Sequence, residues 1–483
     1  MAKNFIVGKY ELDNNQMELL NTNNNSLVIA GAGAGKTLTI LGKVFYLIEN
    51  NICKPEKILM ISFTNASVDD IKSRINYNIN VLTFHKLAML VLEIANYKYT
   101  LCDSNLLKYI IQEYLINCSI YEQKIILKFL KLNIKYKNFL QSCHYKCLCK
   151  LIETFINLYK SNDISSREVL NKHFSNIEKQ FLTIIFTIYK IYNSEKESTK
   201  KLDFDDLILC ATHEVKKTNL NFEYIIIDEF QDTSFIRLNL IKEIYNKTNA
   251  KIIVVGDDWQ SIYRFSGCDL NIFLNFSKIF PNVNEIILSN TYRNSLELIT
   301  IASQFIQKNP LQIKKKLISK KRNNLPIVFV PYVNKAKTLK KLLNHLLKIS
   351  NDIIILGRNN KDIYEYLDIE IAFNNNIIIY TGHQIKFYTV HKSKGLEAEY
   401  VIVLNCNNSI LGFPNKIENH SIIRKLFVNH EIKFAEERRL FYVAITRCKE
   451  SVYLIYDKNN PSIFIKEIKK ITKYNLKKVS YFK

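Results

Sequence analysis

Lys36 and Thr37 follow the run Gly31-Ala32-Gly33-Ala34-Gly35 and precede Leu38, an order of residue types that suits phosphate chemistry. Glycines let a loop turn its backbone N–H groups inward around a phosphate. A lysine at its end supplies a point charge for the β- and γ-phosphates, and a threonine hydroxyl can take a Mg²⁺ position. A second apolar run, FEYIIID, ends in Asp228 and is followed by Glu229. Beside a phosphate loop the first carboxylate can hold Mg²⁺ and the second can polarise an attacking water. Gln260 follows a third such run, KIIVVGD, at a place from which it can sense a γ-phosphate. Arg293 and Arg447 lie far from Lys36 in the chain, so they reach the same phosphate only if two lobes close on it. The plain alternative for such arginines is a surface ion pair, as Arg438 or Arg439 would make with Glu436 or Glu437. Upstream of the loop, Gln16 offers an amide donor and acceptor to an adenine edge, or simply faces water.

Each of these groups needs a fixed place. Residues 27–29 (LVI) read as a strand that stops at the loop, and a helix begins near Lys36, whose N-terminal dipole favours an anion. Residues 10–20 (YELDNNQMELL) read as a helix with Asp13 as N-cap. The buried-strand pattern recurs at 57–63, 81–85, 222–228 and 251–257, with helical stretches between. Strands alternating with helices predict a parallel, doubly wound sheet that binds ligands at the carboxyl ends of its strands. From 87 to 200 the pattern changes to Leu-, Ile-, Tyr- and Lys-rich amphipathic segments, a helical insertion. Tyr263 and Phe265 flank Arg264. Exposed aromatics beside an arginine suit base stacking, whereas taken singly they suit a core.

The chain has 483 residues, enough for roughly two to four domains, and its 47% hydrophobic and 23% charged content excludes a disordered protein. A net charge of +23 points to a polyanionic partner, of which nucleic acid is the commonest. No apolar run reaches spanning length and the start MAKNFIVGKYELD has no signal-peptide pattern, so an intracellular, cytoplasmic protein outside membranes is expected. Most of the ten cysteines, such as Cys210, Cys268 and Cys406, stand in apolar contexts. Cys143, His144, Cys147 and Cys149 are either zinc ligands without an evident second pair or reduced cysteines on a helix. The lysine runs at 314–322 and 469–478 either track phosphates or are solvated faces. An excess of Asn, Ile, Lys and Tyr suggests an AT-rich genome, which would contribute part of the charge.

Taken in chain order, the segments GAGAGKT, SFTN, TFH, DFDDL, DEFQDTS, GDDWQSIYRFSG, NTYRNS, TVHKSKGLEAEY and EERRLFYVAITR resemble the motifs of the UvrD/Rep branch of superfamily 1 DNA helicases, over nearly the whole chain. Within that branch the sequence is most similar to the bacterial DNA helicase IV group, through DDWQSIYRFSG, TYR followed by FIQKNP, and the tail NNPS. The resemblance implies an α/β fold of two RecA-like P-loop NTPase domains with parallel sheets that clamp ATP between them, plus one α-helical insertion. The first domain would be 1–85 and 202–285, the insertion 86–201, and the second domain 286–483, opening with the strand near Ile286. The implied activity is Mg²⁺-dependent ATP hydrolysis coupled to 3′ to 5′ movement on single-stranded DNA and on tailed duplex DNA. In the family pattern Gln16 would read adenine, and Gly31, Ala32, Gly33, Ala34, Gly35, Lys36, Thr37 and Leu38 would bind the nucleotide. Thr37 and Asp228 would hold Mg²⁺, with Glu229 as the base. Gln260 and Arg293 would reach the γ-phosphate, Tyr292 would stack on adenine, Glu397 would bond the ribose and Arg447 would be the arginine finger. Phe63, Thr64, Asn65, His85, Phe204, Tyr263, Phe265, Thr389 and His391 would face DNA. Replication or repair partners, a monomeric or weakly self-associating chain, and a place at the nucleoid or a viral replication site are implied with it.

Departures from the pattern bear on mechanism. Larger members carry a big second helical domain between the motif holding Tyr292 and Arg293 and the one opening at Thr389; here the interval has room only for strands such as 326–331 and 352–356 with their helices. After Arg447 the chain runs SVYLIYDKNNPSIFIKEI, a strand and a short turn, where larger relatives grow a long hairpin that wedges the duplex. The sequence therefore supports translocation more directly than unwinding, and the little chain that remains predicts no nuclease domain. Trp259 and Ser266 stand where larger relatives usually have an acidic residue and an arginine. Two other readings stay open: an RNA-directed or translocation-only motor, since no reader of a 2′-hydroxyl is identifiable, and a non-hydrolysing nucleic-acid-binding scaffold, against which intact Lys36, Glu229 and Arg447 argue.

Overall fold

The structure is a computed structural model that describes residues 5–426, 432–476 and 479–482. Its first sheet holds β1 (Asn25–Ile29), β2 (Ile58–Ser62), β3 (Asn80–Thr83), β4 (Tyr224–Ile227), β5 (Lys251–Gly256) and β6 (Val283–Ile287), in the order β6-β1-β5-β4-β2-β3. Every pairing is parallel. Helices cover both faces, so β1, β2 and β4 are buried along their whole length and read as unbroken apolar runs instead of alternating ones. Because the strands run together, the loops after β1, β4 and β5 leave one carboxyl edge, and they carry Lys36, Glu229 and Gln260 to it.

The second sheet holds β7 (Ile327–Tyr332), β8 (Ile353–Gly357), β9 (Ala372–Asn374), β10 (Ile377–Tyr380), β11 (His383–Thr389), β12 (Ala398–Val403), β13 (Cys448–Asp457) and β14 (Ser480–Tyr481), in the order β9-β10-β11-β8-β12-β13-β7-β14. The centre is parallel, and only the β9, β10, β11 edge is antiparallel. Helices Leu106–Asn117, Ile120–Phe129, Cys143–Ser161 and Asn176–Thr199 make a third unit with its own core, where the rings of Phe129 and Phe181 stack 3.9 Å apart. It stands on the first sheet through a two-stranded ribbon, Thr100–Leu101 with Lys201–Leu202.

Two expected boundaries shift. β6 pairs with β1, Ile286 opposite Val28, so the strand near Ile286 closes the first sheet instead of opening the second domain. Helix Phe84–Ile94 buries Phe84, Leu87, Ala88, Val91 and Leu92 in the first sheet's core beside Leu207 and Ile208, so residues 86–94 pack with that sheet and not with the insertion. Among the described residues no helix is long and apolar enough to cross a membrane. Nor does any group of three or more His, Cys, Asp or Glu residues there have the arrangement to hold a metal ion, and Cys143, Cys147 and Cys149 are free thiols on helix Cys143–Ser161. Lys477 and Lys478, which end the second lysine run, lie outside the described residues.

Candidate functional site

The loop after β1 turns through Gly33 and Gly35, at φ 70° and 75°, conformations that only glycine adopts without strain. Space requires glycine as well. A Cβ on Gly33 would sit 2.6 Å from the Cβ of Arg293, and one on Gly35 would sit 2.9 Å from Nε2 of Gln16. The segment that carries Tyr292 and Arg293 is fastened to the loop: the Tyr292 N–H donates to the Gly33 carbonyl at 2.9 Å and the Thr291 hydroxyl to the Ala32 carbonyl at 2.7 Å. The Ala32 N–H is engaged by the Tyr442 hydroxyl at 3.3 Å, and Leu38 packs its side chain into the first sheet's core.

Lys36 opens helix Lys36–Glu49, and its ammonium lies 2.5 Å from Oε1 of Glu229. The Thr37 hydroxyl lies 3.5 Å from Oδ2 of Asp228. Burial, helped by the neighbouring Glu229 charge, pushes the Asp228 carboxyl up to about 6. Burial acts on Glu229 in the same direction, but the ammonium groups of Lys36 and Lys394 outweigh it and hold this carboxyl well below its ordinary range. Glu229 is therefore a carboxylate at neutral pH, also bonded by Nε2 of Gln231 at 2.5 Å, and it adopts φ 52°, a strained value for a residue with a side chain.

Gln260 is oriented from both ends: its Nε2 donates to Asp257 and its Oε1 accepts from Nη2 of Arg447 at 2.9 Å. Arg447 is buried just past helix Ala435–Ile445. Burial and the nearby Arg293 push its guanidinium down to about 9, still a cation at neutral pH. Arg293 itself is paired through Nε with Glu397 at 2.7 Å. The Tyr292 hydroxyl donates to Oδ2 of Asp13 at 2.5 Å, and Gln16 completes a capping box with the same aspartate, its Oε1 accepting the Asp13 N–H at 2.9 Å. That leaves Nε2 of Gln16 buried and without a partner. An unmet buried donor costs about 1–3 kcal/mol, so this one marks a place for an acceptor. The structure thus gathers Gln16, the loop 31–38, Asp228, Glu229, Gln260, Tyr292, Arg293, Glu397 and Arg447 around one cleft.

Two lysines assigned no role from the sequence belong to this cleft. Lys394 reaches Asp232, lies 3.5 Å from Oε2 of Glu229, donates to the Gln260 carbonyl at 3.0 Å and sits 5.2 Å over the Tyr263 ring. Its place between His391 and Glu397 is the one signal available. Lys315 is buried and bonds Asp257 at 2.7 Å, Asp258 at 2.6 Å and the Ala30 carbonyl at 2.7 Å. At Lys315, then, the run 314–322 is neither a phosphate track nor a solvated face. A run of lysines shows charge, not which member turns inward onto two adjacent carboxylates.

The residues expected to face nucleic acid fall in two groups. On the first sheet, Phe204 is exposed with its ring 5.2 Å from His85, Thr64 and Asn65 are exposed at the start of helix Asn65–Ser73, and Phe63 lies half-buried with the Arg237 guanidinium 5.2 Å from its ring. At the seam with the second sheet, Phe265 is 55% exposed with its ring 5.4 Å from His391. Tyr263 is half-buried against the second sheet's core and donates its hydroxyl to the His391 carbonyl at 2.9 Å; Thr389 is buried. A cavity of about 770 Å³ opens beside them, lined by Phe265, Arg358, Lys361, His391 and Lys392 among others. Burial pushes His85 and His391 down to about 4, helped by Arg237 and Arg358 respectively. Both rings are neutral at physiological pH and suit contact with a base, not charge pairing with a phosphate.

Comparison with known proteins bears on the same residues. Residues 12–281 match the UvrD/REP helicase N-terminal domain, and residues 370–459 match the UvrD-like helicase C-terminal domain. DNA helicase IV of Escherichia coli (strain K12) is 27% identical to this chain, over 94% of the chain and 69% of its own length. ATP-dependent DNA helicase Rep of Buchnera aphidicola subsp. Schizaphis graminum is 28% identical over 93% and 65%. A probable DNA helicase II homolog of Mycoplasma capricolum is 31% identical over 71% and 48%. The chain thus spans from about half to about two thirds of the length of these relatives. The N-terminal match alone covers more than half of the chain, and with the RecA-like parallel sheets on which the cleft is built it shows that the chain belongs to the UvrD/REP helicase family.

Proposed function

We propose that the chain is an ATP-driven motor on single-stranded DNA that moves 3′ to 5′ by hydrolysing ATP between its two RecA-like domains. One observation carries the reading: Lys36, Glu229 and Gln260 from the first sheet meet Arg293 and Arg447 from the second half of the chain across a single cleft, with Gln260 already bonded to Arg447 at 2.9 Å. Adenine would lie against Tyr292 with its acceptor on the unpartnered Nε2 of Gln16. A triphosphate would draw the Lys36 ammonium off Glu229 and so free that carboxylate to take a proton from the attacking water. The Thr37 hydroxyl and Asp228 carboxylate, 3.5 Å apart, are hard oxygen ligands that would hold Mg²⁺. The chemistry Mg²⁺ would supply there is neutralisation of the charge on the transferring phosphate. The packing supports domain limits with the insertion starting near residue 95 and the second domain after β6.

Replacement of Gln16 by alanine is expected to raise KM for ATP about tenfold, one charge-free hydrogen bond's worth, and to bring ATP and GTP closer together. Steady-state kinetics with both nucleotides checks this. Phe265→Ala is expected to weaken single-strand binding by about 1–3 kcal/mol if the ring stacks a base, while wild-type affinity falls linearly on a logarithmic salt scale. Fluorescence anisotropy at several salt concentrations measures both. Between Arg293 and Thr389 the described chain holds helices and strands of the second sheet's layers and the irregular segment 307–326, with no second helical domain, so unwinding of long duplexes by a single motor is expected to lag behind its walk. The proposed direction is tested by displacement of streptavidin from a biotinylated strand: removal from the 5′ end supports it, and removal only from the 3′ end refutes it.

A further inference from the structure

Helix Ser421–Leu426 follows β12 and precedes the helix that leads to Arg447, so by chain order it belongs to the second sheet, yet it packs on the helical insertion. Ile422, Ile423 and Leu426 are buried in the insertion's core, and the His420 ring lies 4.9 Å from the Phe129 ring. The Ser421 hydroxyl and the Lys425 ammonium both donate to Glu178, at 2.8 Å and 2.7 Å, and Lys172 donates to the Leu426 carbonyl. Glu178 also accepts the Ser175 N–H at 2.8 Å, so its carboxylate is fixed before the helix arrives.

The insertion is in turn anchored to the first sheet. Besides its ribbon stalk, the buried ammonium groups of Lys160 and Lys196 pair with Asp203 and Asp206 at the start of helix Phe204–Glu214. The two sheets meet on the far side, where Trp259 and Ile262 of the first enter the core of the second. These contacts close a circuit: first sheet, insertion, helix Ser421–Leu426, second sheet, and back. A cavity of about 640 Å³ lies inside it and takes a wall from every part, Leu158 from the insertion, Arg264 and Phe265 from the first sheet, Arg358 and His391 from the second, and Arg424 from the helix. Phe265, Arg358 and His391 also line the cavity beside it.

We propose that helix Ser421–Leu426 is a clasp that closes the groove behind Phe265 and His391 into a channel, so that a single strand is enclosed by the chain and not merely laid in an open cleft. The proposal rests on the reading that this groove takes single-stranded DNA. An enclosed strand leaves by sliding off an end or by an opening of the clasp, so the clasp governs how long the motor stays on, and it governs access to a strand that has no ends.

The test is to lock the clasp. Glu178→Cys and Ser421→Cys, placed in a background with the exposed Cys143 and Cys147 changed to serine, are bridged with a short bis-methanethiosulfonate crosslinker, which spans the length the glutamate side chain filled and is released by reductant. Locked protein is expected to bind linear single-stranded DNA, to associate about tenfold more slowly with circular single-stranded DNA, and to regain the circle on reduction. Protein locked after loading on the circle should survive a high-salt challenge. Equal loading of locked protein on circles and linear strands overturns the clasp. So does failure of the crosslink to form while both thiols remain open to alkylation. If no form of the protein binds any strand, the DNA reading itself is what fails. A second variant, Ile422→Asp with Lys425→Glu, opens the clasp without touching the residues that line the channel. Its dissociation from linear strands is expected to quicken about tenfold with DNA-saturated ATP turnover unchanged; faster turnover with unchanged dissociation would make the helix a brake and overturn the proposal.

Discussion

Arg447→Ala is expected to lower kcat for ATP by about 10³- to 10⁵-fold, the range found for arginine fingers in other NTPases, while nucleotide binding changes little. Among the described residues the Arg447 guanidinium bonds the Val443 and Leu396 carbonyls and the Gln260 amide and makes no direct ion pair, the Glu229 and Asp257 carboxylates acting on it only from a distance. A buried cation that no carboxylate contacts directly is costly, and a fold keeps one where an anion will arrive. Removing it should therefore leave the melting temperature unchanged or higher while the chemical step collapses. Arg447→Lys should restore little, because a point charge cannot replace the planar fork that bridges Gln260 and a phosphate. Single-turnover hydrolysis, nucleotide binding and thermal melting on the same preparations separate these outcomes; a parallel loss of binding and stability would return Arg447 to a structural role.

The second large effect is at Glu229. Glu229→Gln is expected to cut kcat by about 10²- to 10⁴-fold, the usual contribution of a positioned base, with ATP bound at least as tightly as before. The amide is isosteric and can still meet Gln231, but it cannot take a proton, and it no longer holds the Lys36 ammonium away from the phosphates. Equilibrium binding of a fluorescent ATP analogue beside steady-state turnover checks both halves of the expectation.

The phosphate loop was legible because its requirements are local: glycine at two left-handed positions, then Lys36 and Thr37 at a helix start. Asp228 and Glu229 were legible for a similar reason, since an unbroken apolar run that ends in carboxylates marks the tip of a buried parallel strand. Arg293 and Arg447 carry no local mark that they meet Gln260 or the loop, and only the family resemblance brought them together. The same limit hid Lys315 and Lys394, whose partners lie on distant strand tips. β6 was misplaced because an edge strand with exposed Asn284, Glu285 and Ile287 looks alike whether it ends one sheet or begins another. The packing of helix Ser421–Leu426 on the insertion was out of reach, since SIIRKL names an apolar face and not what covers it.

The central claim is that one cleft couples ATP hydrolysis to a bound single strand, through Gln260 and Lys394 on the nucleotide side and Tyr263, Phe265 and His391 on the other. The most direct measurement is the rate of ATP hydrolysis in Mg²⁺ buffer without nucleic acid, with single-stranded DNA, and with RNA of the same sequence. The account predicts a low basal rate, a steep rise with DNA and a smaller one with RNA. Hydrolysis at one rate in all three conditions, by protein that demonstrably binds the strand, would contradict it.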